Sequence, residues 1–177
     1  MKRFVFCLAA LCAGAPAFAL DLTSPDIGNG ATIDERFVFD GWGCPGQNVS
    51  PELSWSGAPE GTASYALMVH DPDAPTGGAG FWHWIVLDIP ADTDGLGQNA
   101  SAEGMPEGVT VIANDFGAKS WGGPCPPEGD GAHRYNITLY ALPEALGPME
   151  GASKAVIGFT VNAKALEKAV LSGTYGR

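Results

Sequence analysis

Three segments of the chain gather residue types that bind or polarise a ligand. The first is His70-Asp71-Pro72-Asp73-Ala74-Pro75. Its two prolines lock φ and push the residues before them toward extended geometry, so the Asp71 carboxylate leaves a strand end with little freedom. The second is Phe81-Trp82-His83-Trp84, an imidazole between two indoles, reached through the flexible 76–80 loop. The third runs from Gly122-Gly123-Pro124-Cys125-Pro126-Pro127 to His133-Arg134-Tyr135. Glycines allow close backbone approach and expose amides while prolines stiffen the loop, a combination suited to an anion-binding nest. Each segment also has an ordinary structural reading. Asp71 suits an Asx turn, His83 a satisfied core histidine, and the Gly/Pro stretch a surface loop before a strand. His70, on the face opposite Asp71, reads as structural, and Asp73 as a turn stabiliser.

Short apolar runs punctuated by Gly, Pro, Asn and Asp supply the elements that must position these groups. Strands are expected over 36–39, 65–70, 83–89, 109–113 and 134–142. In the last, Tyr135, Ile137, Leu139 and Ala141 share one face. The run 83–89 is nearly all apolar, as for a strand covered on both sides. Helical spacing is clear only over 162–171, where Leu166 and Val170 lie four apart and Ser172-Gly173 offers a stop; a shorter turn is expected over 144–146. With 25 Gly and 14 Pro spread through 177 residues, the pattern fits a single mainly β domain. Two packed sheets with one or two small peripheral helices are expected.

Nine Lys and Arg against twenty Asp and Glu give a formal charge of −11. That balance excludes nucleic-acid binding through a basic footprint and adsorption to anionic membranes through bulk charge. Residues 1–19 read as a cleaved export signal, with basic Met1-Lys2-Arg3, an apolar run over 4–13, and the small-residue site Ala17-Phe18-Ala19. The mature domain is then 20–177, beginning at Leu20 or Asp21. The protein is periplasmic if its source is a Gram-negative bacterium and secreted otherwise. No stretch reaches the ~20 apolar residues of a membrane span. Cys44 and Cys125 remain after cleavage, an even pair in an oxidising compartment, so a disulfide is the default reading. Two metal-binding thiolates are the competing one, weakened by the absence of a C-x-x-C pair or a histidine at ligand spacing.

Six ordered motifs carry a resemblance. NVSPELSW (48–55), DPDAP (71–75), WHW (82–84), GPCPP (123–127), HRYNITLYAL (133–142) and GTYGR (173–177) are together similar to the phosphatidylethanolamine-binding protein (PEBP) family, in its bacterial YbhB/YbcL, Raf-kinase-inhibitor-like branch. The resemblance implies a PEBP-like two-sheet β-sandwich with a small pocket for phosphate or a phosphorylated headgroup. Carried onto this chain, the ligand-binding residues are Asp71, Pro75, Trp82, His83, Gly123, Cys125, His133 and Tyr135. The cysteine at 125 stands where animal members have glycine, and it ties the pocket rim to Cys44. In this picture both imidazoles donate N–H to the anion, Asp71 orients a histidine or an ammonium, Tyr135 adds a hydroxyl, and Trp82 or Trp84 walls the site.

The function so implied is non-catalytic binding of an anionic small group, with the loaded pocket rim presented to a protein partner that it modulates in a kinase- or protease-inhibitor-like way. No cofactor and no metal are expected. The alternative is an acid–base enzyme built on His83, His133 and Asp71. Against it, the chain has no G-x-S-x-G, Ser-x-x-Lys or H-E-x-x-H motif, so no nucleophile or metal centre is apparent. Inhibition of a protease through loop 34–46 or 95–108 is a third reading.

Overall fold

The computed structural model describes residues 19–177, so the export signal expected over 1–19 lies almost wholly outside the described residues. Among the described residues ten strands and two helices follow one another. They are β1 (Asp21–Thr23), β2 (Asp40–Gly41), β3 (Cys44–Pro45), β4 (Leu53–Ser56), β5 (Ser64–Asp71), β6 (Phe81–Pro90), β7 (Gly95–Leu96), α1 (Ala100–Glu103), β8 (Thr110–Ile112), β9 (His133–Leu142), α2 (Lys154–Lys164) and β10 (Glu167–Tyr175). A five-stranded antiparallel sheet, ordered β10-β9-β5-β6-β8, packs on a three-stranded sheet β1-β4-β7, and β2-β3 forms a separate hairpin.

Alternation along the strands decides what lies between the layers. Tyr65, Leu67 and Val69 of β5 and Tyr135, Ile137, Leu139 and Ala141 of β9 face the small sheet, meeting Leu22, Leu53, Trp55 and Leu96. The intervening Ala66, Met68, Tyr140 and Leu142 turn to the other face, where Ile157 and Val161 of α2 cover them. The large sheet is thus buried on both faces, which is why β5 and β6 read as continuous apolar runs. Among the described residues no helix is long and apolar enough to cross a membrane.

Three expected elements differ. Residues 36–39 are not a strand: the Asp34 side chain accepts from Arg36 N, capping a single 3₁₀ turn over Glu35–Phe37. Residues 144–146 form no helix. The helix expected over 162–171 is instead the last turn of α2 followed by the strand β10. Leu166 and Val170, whose spacing suggested helix, are exposed, while Leu171 is buried and residues 167–175 pair one by one with β9. Gly173 is no helix stop either, since a Cβ there would lie 2.6 Å from the Ile33 side chain.

Candidate functional site

Three strand ends and the loops beside them enclose a cavity of about 260 Å³ at one end of the large sheet. Asp71 closes β5, Phe81 and His83 open β6, and His133 and Tyr135 open β9. Cys125 to Pro127 and Arg177 line the remaining wall, with Trp42 and Phe116 beside the aromatic end. The structure therefore brings together six of the eight residues expected at a pocket: Asp71, Pro75, His83, Cys125, His133 and Tyr135.

A β-bulge places His83. Val69 pairs with Trp84 and His70 with Trp82, so His83 is the extra residue on β6. Strict alternation would put Trp82 and Trp84 on one face and His83 on the other. The bulge instead puts His83 and Trp84 together on the inner side, Trp84 in the sandwich core and His83 at the cavity. Trp82 is left on the far face, tilted against His70 with ring centres 4.2 Å apart, and does not line the cavity. Gly123 does not line it either: a Cβ at this position would meet Phe37 O at 2.1 Å, so the glycine serves close backbone packing behind the wall.

The nest expected in the Gly/Pro loop is not formed by these glycines. Gly122 N donates to His83 O at 3.0 Å and Gly123 N to Asn48 Oδ1 at 2.8 Å, while Pro124, Pro126 and Pro127 have no N–H. Cys125 is disulfide-bonded to Cys44 across 81 positions, with Cα atoms 5.9 Å apart, so neither sulfur is a free thiolate for a metal.

Asp71 does two jobs. Its Oδ1 accepts from Asp73 N at 2.8 Å and Ala74 N at 3.0 Å, forming the Asx turn, while Oδ2 lies 2.8 Å from His133 Nδ1. Asp73 bolts this turn to β9 by accepting from Arg134 N, Nε and Nη2, and that guanidinium holds the Asp73 carboxyl down at about 2.

The imidazoles are set differently from the expectation of two N–H groups aimed at a ligand. His83 Nδ1 lies 2.6 Å from Gly122 O, and a carbonyl only accepts, so Nδ1 carries the proton. His83 Nε2 is then a lone pair, buried and without a partner. Burial pushes the His83 pKa down to about 4, so the ring is neutral at physiological pH. His133 likewise directs Nδ1–H at Asp71 and leaves Nε2 at 3.7 Å from Asp130 Oδ2. The Tyr135 hydroxyl is also buried without a partner, and burial pushes its pKa up.

Sequence reasoning missed Trp42, Phe116 and Arg177. Trp42 and Gly43 have φ of 53° and 79° and form the two-residue loop between β2 and β3. This geometry holds Trp42 over the cavity mouth, 4.8 Å from the Phe116 ring centre, although the indole is 65% exposed. Arg177 donates from Nε to Pro126 O at 2.7 Å and from Nη1 to Gly43 O at 3.0 Å, joining the loops on both sides of the disulfide. The terminal GTYGR motif was the available signal, but its spacing says nothing of these partners.

The sequence model described as phosphatidylethanolamine-binding protein matches residues 23–176. The chain belongs to this family. It is 41% identical over 172 residues to the UPF0098 protein YbcL of Escherichia coli, covering 95% of this chain and 93% of that one. It is 41% identical over 159 residues to the E. coli UPF0098 protein YbhB, covering 88% and 99%. Against the crystal structure of E. coli YbcL, described as a new member of the mammalian PEBP family, the TM-score is 0.85 at 40% identity, covering 90% of this chain and 99% of that one. The PEBP fold and the YbhB/YbcL branch expected from the six motifs are thus shown.

Proposed function

We propose that this PEBP-family chain is an exported binding protein whose cavity takes phosphate or a phosphorylated, anionic headgroup. One observation carries the reading: His83 Nε2 and the Tyr135 hydroxyl are buried at the same cavity with no partner in the free protein. A buried polar atom left unpaired costs about 1 to 3 kcal/mol, and a polar ligand recovers that cost. The Arg177 guanidinium on the wall adds a positive charge. The basic, apolar and small-residue sequence of 1–19 supports export.

The same geometry favours binding over catalysis. The cavity hydroxyl of Thr76 donates to Gly80 O at 3.0 Å and not to an imidazole, so it is not activated as a nucleophile. The test is calorimetry with inorganic phosphate on the exported chain, whose N-terminus should read Leu20 or Asp21. Wild type is expected to bind in the micromolar to millimolar range, roughly what a few charge-assisted bonds supply to a small ligand. Tyr135→Phe removes only an unpaired hydroxyl, so it should leave thermal stability level or higher while weakening phosphate roughly tenfold or more. Unchanged affinity in both Tyr135→Phe and His133→Ala would overturn the reading.

A further inference from the structure

The two cavity histidines are backed by unlike groups. Behind His133 Nδ1 stands the Asp71 carboxylate at 2.8 Å, and Asp130 Oδ2 lies 3.7 Å from its Nε2. A carboxylate therefore faces each ring nitrogen of His133. Behind His83 Nδ1 stands only the neutral Gly122 carbonyl at 2.6 Å. With that proton committed, the front nitrogen of His83 is an acceptor, and its burial without a partner means the free protein gives it nothing to accept from.

A fully deprotonated phosphate oxygen set against that lone pair would repel it. We propose that His83 Nε2 accepts a hydrogen bond from the ligand, so that the cavity selects the hydrogen-bearing monoanion of a phosphate monoester or of inorganic phosphate over a phosphodiester, which has no P–OH at neutral pH. The inference rests on the anion-binding reading above and adds the protonation state and ester class. In the complex the phosphoryl group gives its P–OH to His83 and accepts on another oxygen from Tyr135 Oη.

The charged and titratable groups around His83 permit this division. Asp71 on β5 is occupied by His133 and the Asx turn, and His70 on β5 is held by Ala79 O. On β9 stand His133 and Tyr135, Asp130 lies on the loop before it, and Arg177 is tied to Pro126 and Gly43 carbonyls. Burial costs the charged form of the His83 ring most, and it holds the ring's pKa at about 4, below the second ionisation of a phosphate monoester near ~6. The shared proton therefore resides on the ligand oxygen.

Calorimetry of the full mature chain with inorganic phosphate, methyl phosphate and dimethyl phosphate between pH 5 and pH 8 tests this. Dimethyl phosphate lacks the proton but carries the same single charge and meets the same Tyr135 hydroxyl, so the difference between esters isolates His83. At pH 6 methyl phosphate is expected to bind at least roughly tenfold tighter than dimethyl phosphate. Above that pH its affinity should fall about tenfold per unit, with nearly one more proton taken up than for the diester at pH 8. His83→Gln, which can turn an amide N–H to the ligand, should remove both the ester preference and the extra proton. Equal affinity for the two esters in wild type at pH 6, or the same proton uptake for both at pH 8, overturns the inference while leaving anion binding in place. Absence of binding by all three probes at every pH overturns both.

Discussion

The cavity beside His83 measures about 260 Å³, and a second, between the end of β8 and the start of α2, about 570 Å³. The larger is lined by Lys119, Glu150 and Lys154, the richer set of formal charges. Those charges are already paired, Lys119 with Glu150 at 3.2 Å and Lys154 with Asp115 at 2.8 Å, and Ser153 caps α2 through Val156 N at 3.3 Å. The smaller cavity keeps two buried polar atoms that nothing in the protein satisfies. Volume and charge count alone therefore do not pick out the proposed site; unmade hydrogen bonds beside an open cavity do, whereas the equally unpartnered Trp84 Nε1 lies in the core.

The comparison is broken most forcefully at the disulfide, which belongs to the smaller cavity alone. Cys44 and Cys125 close a loop across 81 positions, so Cys44→Ala with Cys125→Ala is expected to lower stability by about 4 to 5 kcal/mol, less any relief of native strain. Denaturant unfolding of the double variant measures this. Phosphate affinity should drop as well, because Arg177 bridges carbonyls on both sides of the bond and would lose its register. A double variant that binds phosphate like wild type would show that the rim is positioned by its hydrogen bonds alone.

Next in size is the pH response of the unpaired imidazole. The His83 pKa is held at about 4 in the folded chain against 6.5 for the free group. Between these values the unfolded chain binds a proton that the native chain refuses, so stability falls as pH drops from about 6.5 toward 4 and levels off below. The contribution is about 3 kcal/mol. Unfolding midpoints for wild type and His83→Gln between pH 4 and pH 7 should converge toward acid, with the glutamine variant nearly flat in this term. Parallel curves would mean that His83 is solvated or charged in the native state.

How much of this was legible depended on whether the information is local. The alternation of Tyr135, Ile137, Leu139 and Ala141 announces β9, because one inward face is written every second residue. β10 was illegible for the opposite reason: its partner is β9, more than twenty residues earlier, and local spacing of Leu166 and Val170 favoured helix until the pairing overrode it. In α2, Gly158, Thr160 and the β-branched Val156, Ile157 and Val161 argue against a helix. It forms because Ser153 caps it and Ile157 and Val161, four apart, bury on the sheet. At the site, residue types were legible and their directions were not. No periodicity signals that β6 carries an extra residue at His83, yet that bulge decides that Trp82 faces away and the imidazole faces in.

The smallest expected effect sits at the second cavity, where it tests the contrast from the other side. Lys154 and Asp115 are each partly exposed, and Asp115 keeps a second partner in Trp82 N at 2.7 Å. Removing the ammonium by Lys154→Ala should cost no more than about 1 kcal/mol in denaturant unfolding, as for other pairs open to solvent. It should also leave phosphate affinity within twofold of wild type. An anion entering this cavity would approach Lys119 and Lys154 beside carboxylates that already neutralise them, Glu150 and Asp115, so like-charge repulsion offsets what the ammonium groups offer. At the smaller cavity, His83 Nε2 and the Tyr135 hydroxyl have no protein hydrogen bond to give up. If Lys154→Ala nevertheless weakens phosphate by more than tenfold, the crevice is the site, and the unpaired atoms beside His83 need another explanation.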